Sequence, residues 1–181
     1  MFDYFEVKGI MPAQALELYS GAYLLLLDAG KIPPHLSLVV NGKVFALTIK
    51  GPKIEKPLET QLSFIRQYAI PSLFIQLKAD LTVHKEVIYK KAADSTLIFE
   101  RVEAGLATCL SPLKKFCSDI FSLELDKVNF VYELIDELEK RSLIEQKLQI
   151  NMESLVQNAT FKIMKYSMQD IYERIYSAEF A

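Results

Sequence analysis

The chain has 181 residues, with 21 Lys plus Arg against 23 Asp plus Glu, for a formal net charge of −2 at pH 7. Hydrophobic residues make up 51% and charged residues 24%, which excludes intrinsic disorder, because a disordered chain lacks the apolar material for a core. The near-neutral balance argues against a general nucleic-acid binder, which presents a cationic face to phosphates.

The start, Met1-Phe2-Asp3-Tyr4-Phe5-Glu6, carries two acids before the first lysine and lacks the basic opening of a signal peptide. Met11 to Tyr19 reads as a short helix with Pro12 in its first turn, broken by Ser20-Gly21. Ala22 to Leu27 is short and continuously apolar, the pattern of a buried strand. It is also the longest strongly apolar run, far below the ~20 residues that cross a bilayer. A cytoplasmic protein with no membrane span is therefore expected.

The clearest local signal follows. Leu36 to Val40, then Asn41-Gly42, then Lys43 to Ile49 spells a β-hairpin, since both central residues of a type I′ turn need positive φ. Leu58 to Tyr68 places Leu58, Leu62 and Ile65 on one helical face, and Pro71 stops it. Ser72 to Leu77, Thr82 to Tyr89 and Thr96 to Val102 read as three further strands, the last two joined by a turn at Ala92 to Ser95. Ser111-Pro112 opens a helix whose apolar face is Leu113, Phe116, Cys117 and Ile120.

Two narrow apolar stripes close the chain: Val128, Val131, Ile135 and Leu138, then Phe161, Met164, Met168, Ile171 and Ile175. Their 3- and 4-residue steps are those of helices packed on helices. They serve either as an intramolecular hairpin laid on the core or as the seam of a homodimer. The expected fold is α+β: a core over residues 1–125 with a small antiparallel sheet, and a helical extension over 126–181 packed on it within one domain.

Many familiar site motifs are missing. The six glycines form neither a dinucleotide fingerprint nor a phosphate loop, and no nucleophile-elbow pentapeptide occurs. No cofactor is expected. Two cysteines and two histidines are arithmetically enough for zinc but lack finger-like spacing, so no metal site is expected. His84, in a segment read as strand, is a fallback partner only. Tyr19 and Tyr23 are candidates to line a pocket beside the first apolar strand.

One constellation carries chemistry. Pro33-Pro34-His35 opens the hairpin, and the two-residue turn, extended along both strands, sets His35 opposite Thr48. Cys109 stands 74 residues later, in Thr108-Cys109-Leu110 before the Ser111-Pro112 helix. Amides at a helix entrance favour thiolate, and an adjacent imidazole completes the activation of a thiol. The bland alternative is a small buried thiol and a histidine satisfying backbone groups at a strand end.

The pieces Pro34-His35-Leu36-Ser37-Leu38-Val39 with the Asn41-Gly42 hairpin, and Thr108-Cys109-Leu110 before its helix, resemble the circularly permuted branch of the NlpC/P60 papain-like superfamily, over roughly residues 20–122. By that resemblance Cys109 is the nucleophile, His35 the general base and Thr48 the group that orients the imidazole. A papain-like core is implied, with hydrolysis or transfer of an amide, ester or thioester acyl group from a peptide, lipid or acyl-modified substrate. The rival is a non-catalytic binding or regulatory module acting through its C-terminal helices, a degenerate form of the same fold. The family's usual stronger polar orienter is absent where Thr48 stands.

Overall fold

The computed structural model describes residues 3–79 and 81–179, with the side chains of 81–83 set aside. In chain order the elements are β1 (Tyr4–Lys8), β2 (Ile10–Pro12), a 3-10 turn (Glu17–Tyr19), β3 (Ala22–Leu27), β4 (His35–Val40), β5 (Lys43–Thr48) and β6 (Gly51–Pro57). These are followed by α1 (Leu58–Gln67), β7 (Ser72–Leu77), α2 (Leu81–Leu97), α3 (Ser111–Phe121), α4 (Val131–Lys140), β8 (Ile144–Ile150), β9 (Thr160–Met164) and α5 (Met168–Glu179). Seven strands form one sheet in the order β2-β8-β7-β3-β4-β5-β6, while β1 and β9 pair separately. The α+β class holds, but the main sheet is larger than expected and mixed, because β2 runs parallel to β8.

β3 lies inside the sheet between β4 and β7, so its Ala-Tyr-Leu-Leu-Leu-Leu run has apolar neighbours on both faces. Leu24 and Leu26 join Leu38, Phe45 and Ile75 in a cluster that also takes Leu113 and Phe116 of α3, Ile135 of α4 and Ile175 of α5. Tyr23 and Leu25 join Val39, Val44 and Phe74 in a second cluster closed by Leu58, Leu62 and Ile65 of α1. The sheet is thus covered by α1 on one face and by α2–α5 on the other.

The hairpin forms as the turn chemistry dictates. Asn41 and Gly42 both take positive φ, 46° and 76°, and the pairs Val40↔Lys43, Val39↔Val44 and Leu38↔Phe45 follow. The Gly42 carbonyl accepts the Leu58 N–H at 2.9 Å, so the turn also meets one of the unpaired amides at the start of α1.

Three local expectations are corrected. Met11 to Tyr19 is not a helix: Ile10–Pro12 is an edge strand, where proline's missing N–H is tolerated, and only Glu17–Tyr19 turns helically. Thr82 to Tyr89 and Thr96 to Val102 are not strands, and Ala92 to Ser95 is not a turn: α2 runs through Leu81–Leu97 with a break at His84 (φ −132°, ψ 32°), and residues 98–102 belong to no strand. Ile88, Ala92 and Ser95 make the buried stripe at helical spacing. The Thr96 hydroxyl donates back to the Ala92 carbonyl at 2.9 Å, and Lys90 pairs with Asp94 one turn on at 2.6 Å. Tertiary burial of that stripe outweighs the β-leaning composition.

The third correction concerns residues 126–181, which are not purely helical. Ile144–Ile150 supplies a strand of the main sheet between β2 and β7. Phe161 and Met164 belong to β9, paired with β1 from Tyr4↔Met164 to Lys8↔Thr160. Val131, Ile135 and Leu138 are fully buried in their own chain, and Phe161, Ile171 and Ile175 nearly so. Of the two roles open to these stripes, this burial supports packing within the chain, with Met164 and Met168 half-buried. Among the described residues no helix is long and apolar enough to cross a membrane.

Candidate functional site

The β4–β5 ladder ends at Leu38↔Phe45, whereas β4 stays paired with β3 as far as Leu27↔His35. At this end of the strands lies an open cleft of about 450 Å³. Leu27, His35, Leu47, Thr48 and Ile49 line it from the sheet, and Phe64 and Ile70 from the α1–β7 region. Val102, Thr108 and Cys109 enter from the α2–α3 connection, and Ile171, Arg174, Ile175 and Ala178 form the α5 wall. The volume and mainly apolar lining fall in the ~300–1,000 Å³ class of small-ligand pockets.

Each wall has an identifiable anchor. The Val102 N–H donates to the Thr48 carbonyl at 2.9 Å, drawing the α2–α3 connection to the end of β5. Cys109 occupies a turn just before α3. Within that turn the Thr108 N–H donates to the Ser111 hydroxyl at 3.0 Å, the Leu110 N–H to the Thr108 hydroxyl at 3.2 Å and the Ser111 N–H to the Thr108 carbonyl at 3.0 Å.

The α5 wall is fixed from its leading end. The Tyr132 hydroxyl donates to the Tyr166 carbonyl at 3.0 Å, and their rings meet edge to face at 5.4 Å beside Phe130. The Ser167 N–H and hydroxyl both bond the Asp170 carboxylate, at 2.6 and 2.7 Å, closing the first turn of α5. These bonds hold the Asp170 carboxyl below its ordinary value.

Cys109 and His35, chosen from the sequence, line the same cleft. Thr48 lines it too, but its hydroxyl is committed to the β5–β6 turn. It donates to the Gly51 carbonyl at 2.9 Å and accepts the Lys50 N–H at 3.2 Å. Extending the hairpin register as far as His35 opposite Thr48 therefore overran the ladder, which stops three residues earlier on β4.

Other candidates fall elsewhere. His84 sits at the break in α2, and Cys117 is fully buried in the α3 core. Tyr23 is buried, its hydroxyl donating to the Glu17 and Ser20 carbonyls at 2.9 and 3.0 Å. Tyr19 is exposed beside Gly42 rather than in the cleft.

The electrostatics set the resting protonation states. Burial pushes the Cys109 thiol up, while the backbone amides of Leu36 and of Cys109 itself pull the other way. His35 keeps part of its surface open. Loss of hydration beside the cleft nevertheless lowers its imidazole from the ordinary 6.5, and the Lys53 and Arg174 cations add to that. At neutral pH the pair is a protonated thiol and a neutral imidazole, not the thiolate–imidazolium pair expected from the helix entrance.

Sequence reasoning missed Arg174, Lys31 and Asp28 as lining residues. Arg174 had a faint signal, because it stands between Ile171 and Ile175 of the apolar stripe and so flanks the buried face of its helix. Asp28 and Lys31 pair with each other at 2.7 Å, and nothing in their local pattern marks a cleft. No protein-family model matches the chain, and neither curated proteins nor solved structures give a match.

Proposed function

We propose that the cleft performs cysteine-dependent acyl chemistry, hydrolysing or transferring an amide, ester or thioester acyl group, with a permuted NlpC/P60-like arrangement of its two key residues. The observation that supports this most is the convergence of Cys109 and His35, 74 residues apart, on one apolar cleft. The protonation states suit a general-base step. His35 takes the thiol proton as Cys109 Sγ bonds to the acyl carbon, and the Cys109 backbone N–H helps hold the oxyanion. The imidazolium then protonates the leaving group as its bond to carbon breaks, leaving a thioester. Water attacks that thioester, giving one proton to His35, and the sulfur departs and recovers it. Thr48 has no part in orienting the imidazole in this scheme; it shapes the wall.

The raised thiol favours a second reading, in which the same cleft binds a ligand without reacting. A p-nitrophenyl ester separates the two. Acyl chemistry predicts a burst of p-nitrophenolate with the acyl group on Cys109 by intact mass. The burst is absent in Cys109→Ala and about 100-fold slower in His35→Ala. Its rate rises with pH through a midpoint below 6.5 as His35 loses its proton. Acylation of Cys109 at an unchanged rate in His35→Ala, or none at all, refutes catalysis by the pair.

A further inference from the structure

The cleft also shows what kind of molecule it is built to hold, whether or not Cys109 reacts with that molecule. Its walls are mostly aliphatic or aromatic, Leu47, Ile49 and Phe64 lining it together with Ile171 and Ile175 of α5. Among the described residues its one lining carboxylate, Asp28, is neutralised by Lys31 at 2.7 Å. Arg174 lines the same space, and among the described residues it makes no ion pair. The natural intrahelical partner, Asp170 one turn earlier, is engaged by Ser167 instead. Lys53, although it does not line the cleft, acts with Arg174 as a neighbouring cation on His35. An apolar slot with an unpaired guanidinium on its wall complements an anion with a tail.

We infer that the cleft binds a single-chain carboxylate amphiphile, with its alkyl tail between the sheet end and α5 and its carboxylate paired with Arg174. Charge complementarity selects this occupant over a neutral hydrocarbon, and the size of the cleft selects it over a folded partner.

Calorimetric titration of the full chain with hexanoate, octanoate and decanoate, each below its micelle concentration, tests the inference. Affinity is expected to rise about fourfold per methylene until the tail fills the slot, and decanoate should bind at least tenfold tighter than decanol. Arg174→Gln, a change at an exposed helix position, should remove that preference for the carboxylate while leaving decanol binding unchanged. Ala178→Phe, which fills the cleft from the exposed end of α5, should weaken every member of the series. Equal binding of decanoate and decanol to the parent, or an undiminished carboxylate preference in Arg174→Gln, overturns the inference, as does no binding of decanoate. The ester burst and decanoate binding are read on the same parent protein. Loss of the ester burst with decanoate binding intact thus counts against catalysis alone, and the reverse outcome counts against this ligand alone.

Discussion

Replacing Tyr132 by Phe deletes one oxygen from the contact that anchors the α5 wall. Tyr132 is 8% exposed. Its ring stacks on Phe130 at 5.1 Å and meets Tyr166 edge to face at 5.4 Å, and phenylalanine keeps both contacts. What is lost is the 3.0 Å hydrogen bond to the Tyr166 carbonyl, which is then left without that donor in a largely dry setting. An orphaned buried acceptor costs about 1–3 kcal/mol. For a chain of this length each kcal/mol lowers Tm by roughly 2–4 °C.

Urea denaturation of the two proteins measures the difference, and an unchanged m-value would show that the unfolding transition itself is intact. Tyr132→Ala, which also removes the ring, should cost more, about 3–5 kcal/mol. A Tyr132→Phe protein within 0.5 kcal/mol of the parent would refute the claim that this hydrogen bond holds the wall. A loss as large as that of the alanine variant would show that phenylalanine fails to keep the ring packing.

Alkaline pH gives a second prediction. Burial raises Cys117 from its ordinary 9.0 to about 12 and Tyr23 from 10.0 to about 12. The folded chain keeps these protons while the unfolded chain loses them, so stability is full below pH 9 and falls between about pH 9 and 12. In Cys117→Ala the decline should still begin near pH 9, because the Cys109 thiol is also raised, but it should be shallower, as urea midpoints across that range will show. Gly42→Ala forces a side chain to φ 76° and sets its Cβ 3.2 Å from Tyr19 Cδ1. It should cost at least ~1–2 kcal/mol by thermal melting. Thr48→Val removes both hydroxyl hydrogen bonds within the β5–β6 turn and should cost about 1–2 kcal/mol. It should leave the ester burst unchanged, and a burst that falls with it would restore Thr48 as a group acting on His35.

Local chemistry decided much of this fold. Asn41-Gly42 admits one kind of turn, and the flanking residues pair as that turn requires. The run from Ala22 to Leu27 has no polar face, so it belongs inside a sheet. The periods of Leu58–Ile65 and Leu113–Ile120 match the buried faces of α1 and α3. Elsewhere two patterns overlap or the local pattern is incomplete. The step from Phe161 and Met164 to Met168 joins a strand to a helix across the Ser167 cap, and the 3- and 4-residue spacing masks the change of period. In Ile144 to Ile150 the apolar side, Ile144, Leu148 and Ile150, is interrupted by Gln146, so the strand alternation is incomplete. The β-branched residues of α2 point to strand on their own, and only the buried Ile88–Ala92–Ser95 stripe reverses that preference.

The sequence by itself determined the hairpin, its register beside the turn, and the scarcity that made Cys109 and His35 worth pairing, because these follow from interactions between near neighbours. The tertiary structure alone decided how far the register runs. Strands β4 and β5 stop pairing at Leu38↔Phe45, and the α2–α3 connection and α5 close around the end they leave. Desolvation and neighbouring cations then act on whichever groups the fold gathers there. For that reason burial raises the thiol pKa and lowers that of the imidazole, whereas a helix entrance by itself favours thiolate.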